Sequence, residues 1–418
     1  MLTYPELLAR LLPARRFGVV FGLERMRQVL DRLGAPDRRL GTVVHVAGTN
    51  GKGSTVAMIA ALARAGGARV ATYTSPHLST LRERIAFDGV PIAEEALLSA
   101  AEAVYAVGGD ELTFFEQITA IGMVAIANAR VDVTVLEVGL GGRLDATNVV
   151  DAPVGVITGV AMDHEAVLGN TLEAIAWEKA GISKPGMRLV VGASGEPAAV
   201  PAIIAAVRGI AAQVVVVDDA AIAQVPPVAL PGAHQRRNAA AALAAIDQLK
   251  ALGVLRVTSA ARVDALATVV HPGRFEVVGD VILDGAHNPH GARALAAALA
   301  ERGVRPTLIV AVSADKDVRA IAEALAPAVG DVLATRYQQE RALAPDALAD
   351  LFSSVAEHRR VETAPDLDAA LARAHGFGVP ILVAGSLFLV GEARVLLLGA
   401  AADPIVVSDP TPRARIGP

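Results

Sequence analysis

HVAGTNGKGST, residues 45–55, is the stretch on which the reading of the fold turns. A phosphate loop of the usual form ends in Gly-Lys followed directly by Ser or Thr, with another Gly five positions before that pair. Here Gly53 follows Gly51-Lys52, so Ser54 and Thr55 arrive one residue late, and Val46 stands five before Gly51. The context still fits. TVVHVAG (42–48) reads as a buried strand, and STVAMIAALARAG (54–66) reads as a helix stopped by Gly66-Gly67. A glycine-rich strand-to-helix turn aims successive N–H groups and a helix N-terminus at one point, where an anion is stabilised. Lys52 adds a point charge for β- and γ-phosphates, and a following hydroxyl can reach phosphate or Mg2+. The plainer alternative is a βα turn with a surface lysine. Three glycines in six residues, together with Lys and Ser, argue against it.

The alternation continues outward from this loop. ARVATYTS (68–75), DVTVLEVG (132–139), APVGVITGV (152–160), RLVVGA (188–193) and QVVVVDD (213–219) read as strands. Continuous apolar runs separated by helices predict a mainly parallel sheet covered on both faces. QRRNAAAALAAIDQLKALG (235–253) predicts a long helix. The pattern then restarts: VVGDVILDGAHNPHGARALAAALAERG (277–303) as strand, loop and helix, followed by PTLIVAVSADKD (306–317), DVLATRY (331–337) and VPILVAGSLFLVGEAR (379–394). The expected fold is α/β, with a larger N-terminal phosphate-loop domain over 1–271 and a smaller Rossmann-like domain over 272–401. The proline-containing stretch 402–418 is expected to be a disordered tail. At 418 residues, two domains are also the prior from length.

Composition narrows the function classes. A net charge of −5 gives no basic footprint for nucleic acid, and aromatics at 3% leave little for stacking on single strands. No run of about 18 apolar residues appears, so no membrane span is expected. The absence of cysteine excludes disulfides, thiolate metal sites and a cysteine nucleophile. The expectation from composition is a soluble, cytoplasmic α/β protein.

Individual residues suggest chemistry. Glu137 ends a strand just before a glycine-rich loop, and ligands of open α/β sheets bind beyond such strand ends. The alternative is a carboxylate paired with Arg143. Gly139, Gly141 and Gly142 lack the context of a dinucleotide fingerprint. His164 follows Asp163 after another apolar strand; taken alone, it reads more readily as a structural hydrogen-bonder than as a ligand. Lys179 is a helical lysine, and such residues are usually solvated. With a lowered pKa, however, it would be neutral enough to add CO2. Asn238 offers an amide to an adenine edge, and Asp284 ends a strand where it could accept from ribose hydroxyls. For Asn238, Arg274 and the Asp284–Asn288 stretch the plain readings are a helix-surface amide, a linker cation and a turn.

GTNGKGS resembles the nucleotide loop of the Mur ligase superfamily, and the longer HVAGTNGKGST is similar to that of its folylpolyglutamate synthase/dihydrofolate synthase branch. YTSPHL, RERI, FFE, EVGLGGRLDATN, DH, LGNTLEAIAWEKAGI, HQRRNAA, PGRFE, DGAHNPHG, DKD and GSLFLVGEAR follow in family order over about 350 residues. The resemblance implies a ligase that activates a pterin-linked carboxylate with ATP and joins it to L-glutamate. Dihydropteroate and tetrahydrofolate are the implied acceptors. It implies ATP contacts at Asn50, Gly51, Lys52, Gly53, Ser54, Thr55, Asn238, Arg274 and Asp284. It implies two Mg2+ ions held by Ser75, Glu137, His164 and a carbamate on Lys179, with Lys52, His164, Lys179 and His287 at the reacting centre. Pterin contacts are implied at Phe21, Gly22, Thr113, Phe114, Phe115, Glu116, Leu144, Asp145 and Ala146. The family often has Asn at Arg82 and Tyr at Phe114. A monofunctional polyglutamylase and a glutamate-independent regulatory NTPase stay as alternatives. A peptidoglycan ligase fits less well, because only about 40 residues precede the phosphate strand.

Overall fold

A computed structural model describes residues 2–14, 22–355 and 359–409. The first sheet contains β1 (Thr42–Ala47), β2 (Val70–Tyr73), β3 (Ile85–Phe87), β4 (Val90–Pro91), β5 (Val133–Glu137), β6 (Val154–Ile157), β7 (Arg188–Val191) and β8 (Gln213–Val216). Their order is β4-β3-β2-β5-β1-β6-β7-β8. The six strands from β2 to β8 run parallel, and only β3 and β4 pair antiparallel at one edge. β1 and β5 are apolar on both faces apart from Thr42, His45, Thr134 and Glu137, as a doubly covered sheet requires. β1 lies between β5 and β6, so the chain turns to opposite sides of it and leaves a crevice at its C-terminal end.

The phosphate-loop helix, Lys52–Ala65, packs on the helix Ala233–Ala251. Ala60, Ala61 and Ala63 on one, and Ala239 to Ala242 on the other, are buried small residues that allow this close approach. The helix starts at Lys52, two residues before its expected start. Gly51 adopts φ +80°, a left-handed turn that glycine makes without strain, and so frees Lys52 to begin the helix.

The second sheet contains β9 (Glu276–Val278), β10 (Val281–Asp284), β11 (Thr307–Val310), β12 (Val332–Ala334), β13 (Val361–Thr363) and β14 (Ile381–Ala384), in the order β13-β12-β11-β14-β10-β9. Its five pairings are parallel except for β9 against β10, at one edge. The stretch expected as one strand at 277–284 is therefore a hairpin, turned at Gly279 with φ +61°.

Residues 402–409 depart from the expected disordered tail; residues 410–418 lie outside the described residues. The tail returns to the first domain. Asp403 accepts from Tyr4 Oη at 2.6 Å and from Leu81 N at 2.8 Å. Asp409 accepts from both terminal guanidinium nitrogens of Arg84, Nη1 and Nη2, at 3.2 and 2.6 Å. Arg84 has no exposed surface, so a counter-charge there neutralises a cation that the core could not otherwise hold. Ser408 Oγ donates to Gln339, and Arg341 Nη1 donates to the Asp409 carbonyl, so the tail touches the second domain too.

Candidate active site between the two domains

The loop after β1 is fixed by its neighbours before any ligand arrives. Thr49 N donates to Gly159 O, and Thr158 Oγ1 donates to Asn50 O at 2.6 Å. A side chain on Gly51 would meet Asn238 Oδ1 at 2.3 Å. One on Gly53 would meet His271 Nε2 at 2.8 Å, with Glu137 Oε2 at 3.6 Å. The extra glycine that delays the hydroxyl thus sits where His271 and Glu137 press against the helix start. Ser54 accepts from Gln235 Nε2, and Thr55 Oγ1 is buried without a partner.

Around this loop lies a cavity of about 130 Å3. Its lining includes Lys52, Ser75, Glu137, His164, Lys179 and His287, gathered from two helices (Lys52, Lys179), a strand end (Glu137) and two loops (Ser75, His164) of the first domain and a turn of the second. Asn50, Gly51, Gly53, Ser54 and Arg274 line it as well. Glu137 Oε2 accepts from Ser75 N at 3.3 Å. Burial pushes its carboxyl up, and Lys52 pulls it back down less strongly. Lys179 Nζ donates to Gly48 O at 3.0 Å. Burial first, then the charge of Lys52, lowers its pKa to about 7. His164 has a left-handed backbone at φ 52°. Burial lowers its imidazole to about 4. His287 Nδ1 meets Gly285 O at 2.8 Å, which puts the ring proton on Nδ1 and leaves a lone pair on Nε2. Burial holds that ring neutral too, at about 4.

A neighbouring cleft carries the remaining nucleotide candidates: Asn238, Arg274 and Asp284, with His234, His290 and Ser194. Asn238 accepts from Ser194 Oγ at 2.7 Å and donates to Gln235. The Asp284 oxygens accept from Phe275 N and Ala286 N, both at 2.9 Å, so the carboxylate shapes the turn that carries His287. Arg274 lines both spaces and connects them.

Asn50 and residues that sequence reasoning did not assign knit the domains together. Asn288 Nδ2 donates to Asn50 Oδ1 and to Asp163 Oδ2, both at 3.0 Å, and Asn50 Nδ2 lies 3.0 Å from His290 Nδ1. Lys316 Nζ reaches Asp163 Oδ1 at 2.9 Å. Burial opposes the Asp163 charge, yet His164 and Lys316 outweigh it and hold the carboxyl far below its usual range. Both partners stood in quoted motifs, DH and DKD, but nothing in the sequence paired them.

The pterin candidates do not join this cavity. Phe21 lies outside the described residues. Thr113 and Glu116 form a capping box at the start of helix Phe114–Ala129, and Arg25 pairs with Glu116 at 3.1 Å. Phe114 is fully buried beneath Arg84. Phe115 reaches the cavity wall only by packing against Gly139. Gly22, with φ +139°, precedes the helix Glu24–Arg32. Leu144, Asp145 and Ala146 belong to the loop after β5, where the Asp145 carboxylate is spent on that loop's own donors.

The donor chemistry sets a condition on metal binding. Among the described residues no three His, Cys, Asp or Glu side chains form a ready-made cage. Mg2+ does not need one, because it keeps several waters and is held by one or two carboxylates plus substrate phosphates. Lys179 is the decisive residue. As an ammonium beside Lys52 it repels a cation; as a neutral amine it can add CO2, and the carbamate formed, once its proton is lost, supplies anionic oxygens. The set of Ser75, Glu137, His164 and Lys179 fits Mg2+ in the second state.

A Mur ligase middle domain model matches residues 46–196, and a Mur ligase glutamate ligase domain model matches 273–387. The chain is 33% identical to a dihydrofolate synthase/folylpolyglutamate synthase of Bacillus subtilis, across 91% of this chain and 95% of that protein. This chain belongs to the dihydrofolate synthase/folylpolyglutamate synthase family. A probable bifunctional folylpolyglutamate synthase/dihydropteroate synthase of Haloferax volcanii is 37% identical over 94% of this member of the family. The chain spans about half the length of that relative, 50%. Among solved structures of the family, Escherichia coli FolC in complex with DHPP and ADP matches with a TM-score of 0.86 at 30% identity, over 95% of this chain and 98% of that one.

Proposed function

We propose that this chain is an ATP-dependent ligase that joins L-glutamate to dihydropteroate and to tetrahydrofolate through an acyl phosphate. The observation that carries the reading is the convergence of Lys52, Glu137, His164, Lys179 and His287 on one cavity between the domains. In this reading the unit 1–271 binds ATP and the pterin, the unit 272–401 presents glutamate, and the protein works as a monomer in the cytoplasm. No helix among the described residues is long and apolar enough to cross a membrane.

The reaction needs no protein nucleophile, which suits a site of positioned charges. The substrate carboxylate attacks the γ-phosphorus of ATP, and ADP departs. The loop N–H groups and Lys52 offset the charge on the phosphates. Ser75, Glu137, His164 and carbamylated Lys179 would hold Mg2+, which would supply positive charge against the phosphates. The glutamate amine then attacks the acyl carbon, and phosphate leaves as the amide forms. That amine must shed a proton, and His287, which lines the cavity and carries a lone pair on Nε2, is the base that takes it. The contacts Asn50–Asn288 and Asp163–Lys316 keep the domains together around the acyl phosphate, where water would otherwise consume it.

ADP release tests this, measured with MgATP and L-glutamate and with dihydropteroate or tetrahydrofolate supplied separately. The expected result is release that requires glutamate and proceeds with either pterin. Activity with tetrahydrofolate alone would select the monofunctional polyglutamylase. Release indifferent to both pterins would overturn the ligase reading in favour of an NTPase.

A further inference from the structure

His45 takes no part in the chemistry above, yet it is a polar residue with no exposed surface in the middle strand of the first sheet. Its Nε2 lies 2.9 Å from Thr147 Oγ1, which lies 2.5 Å from Asp145 Oδ1. Asp145 also accepts from Thr147 N at 3.0 Å, Gly139 N at 3.0 Å and Leu140 N at 2.9 Å. Burial pushes the Asp145 carboxyl up, and the bonds it accepts pull it part of the way back down. Three backbone N–H groups and the Thr147 hydroxyl donate to it, so its four lone-pair sites are taken and no acceptor remains for a carboxyl proton; this geometry is that of the carboxylate. An ionised carboxylate only accepts, so the single hydroxyl proton of Thr147 points to Asp145. Thr147 Oγ1 must then accept from His45, whose proton sits on Nε2. The other nitrogen, Nδ1, is buried with no partner. Burial, chiefly, holds the imidazole neutral with a pKa of about 3. A core position that needed only bulk would take Leu or Phe and leave no lone pair unmet. The Nε2 donor is what this position uses.

The far end of the chain of bonds holds two parts of the site. Gly139, Leu140 and Gly141 line the cavity beside Glu137. The same loop grips the helix Leu172–Ala180: Arg143 N donates to Glu178 O at 2.8 Å, and a side chain on Gly142 would meet Lys179 O at 3.0 Å.

We propose that His45 is a positioning residue that, through Thr147 and Asp145, fixes the 138–148 loop and with it the cavity backbone at Gly139–Gly141 and the seat of Lys179. The kinetic consequence rests on the ligase reading; the structural one does not.

Trp177, the one tryptophan of the chain, reports on this loop without any assay of activity. It is 48% exposed, and the Arg143 guanidinium stacks 4.4 Å from its ring centre. The experiment compares acrylamide quenching of Trp177 and kcat/KM in His45→Leu, Thr147→Val and the double variant. His45→Gln keeps an Nε2 donor at similar reach, and Thr147→Ser keeps the hydroxyl. Each of the first two variants is expected to change Trp177 quenching and to lower kcat/KM by about tenfold or more. The double variant is expected to be no worse than either single one, and His45→Gln and Thr147→Ser should restore both readouts. Thr147→Val conserves shape, so it decides the matter if His45→Leu fails to fold. Parental quenching in Thr147→Val, or effects that multiply in the double variant, would overturn the proposal. A parent without ligase activity would sink the functional reading, while the quenching result still decides this one.

Discussion

Replacing Asp409 by Asn keeps the shape of the side chain and removes one charge from a pair whose other member, Arg84, has 0% exposure. The Asn amide then presents an N–H to a guanidinium that has only N–H groups of its own. Stripping one partner from a buried ion pair costs about 3–5 kcal/mol. Two features place this case at or below the low end. Asp409 is itself 30% exposed, and Arg84 Nε keeps its 2.9 Å bond to His77 Nδ1. A loss of about 2–3 kcal/mol is expected, which at about 2–3 °C per kcal/mol for a domain of this size lowers Tm by about 4–9 °C. The pair also sets a pH signature. Burial pushes the Asp409 carboxyl up, but Arg84 outweighs it and holds the group below its ordinary range. A depressed carboxyl contributes stability that is fully present above its unfolded value of about 4 and is lost as pH falls through the lower folded value. The gap between parent and Asp409→Asn should therefore be full at neutral pH and shrink in acid. Thermal unfolding followed by circular dichroism, at neutral pH and in acid, measures both. Adding Arg84→Met to Asp409→Asn should recover part of the loss, because removing the pair outright leaves no stranded charge. An Asp409→Asn protein within about 0.5 kcal/mol of the parent at neutral pH would refute the reasoning, since surface changes cost no more than that.

Gly51→Ala puts a methyl 2.3 Å from Asn238 Oδ1 at a backbone φ of +80°, so nucleotide affinity measured by calorimetry should fall at least about tenfold, with the fold preserved by circular dichroism. Lys179→Ala should abolish glutamate-dependent ADP release, and added acetate or another small carboxylate should partly restore it by supplying the missing oxygens; restoration by a small amine instead would contradict a carbamate at Lys179.

The parallel strands could be read along the sequence because each is buried on both faces and so appears as an unbroken apolar run. The short antiparallel pieces could not. β3 and β4 are three and two residues long, and β4 is exposed throughout, so no period develops. Val277 in β9 is 60% exposed, and the hairpin hid inside what looked like one strand until Gly279 turned it. At the site, Lys52 and Glu137 were legible from local context: a glycine-rich turn and a strand end. Asp163 with Lys316, and Asn50 with Asn288, are separated by 153 and 238 positions, and only the packing of two domains brings them together. Thr113 and Glu116 carry a readable signal of another kind. A threonine followed three residues later by glutamate ahead of an apolar run is a capping box, and the structure uses it as one. Asp403 and Asp409 sit in a stretch whose composition says solvent, yet their two carboxylates find Tyr4 and Arg84.

The returning tail changes the mechanics of the molecule. The polypeptide passes from the first domain to the second after the helix Ser259–Thr268, and comes back after the helix Leu387–Leu398 to bond with Tyr4, Leu81 and Arg84. Two bodies linked by a single tether can swing and twist in any direction. Linked at two separate points, they turn chiefly about the line that joins those points. The second link converts a loose joint into a hinge with one favoured axis.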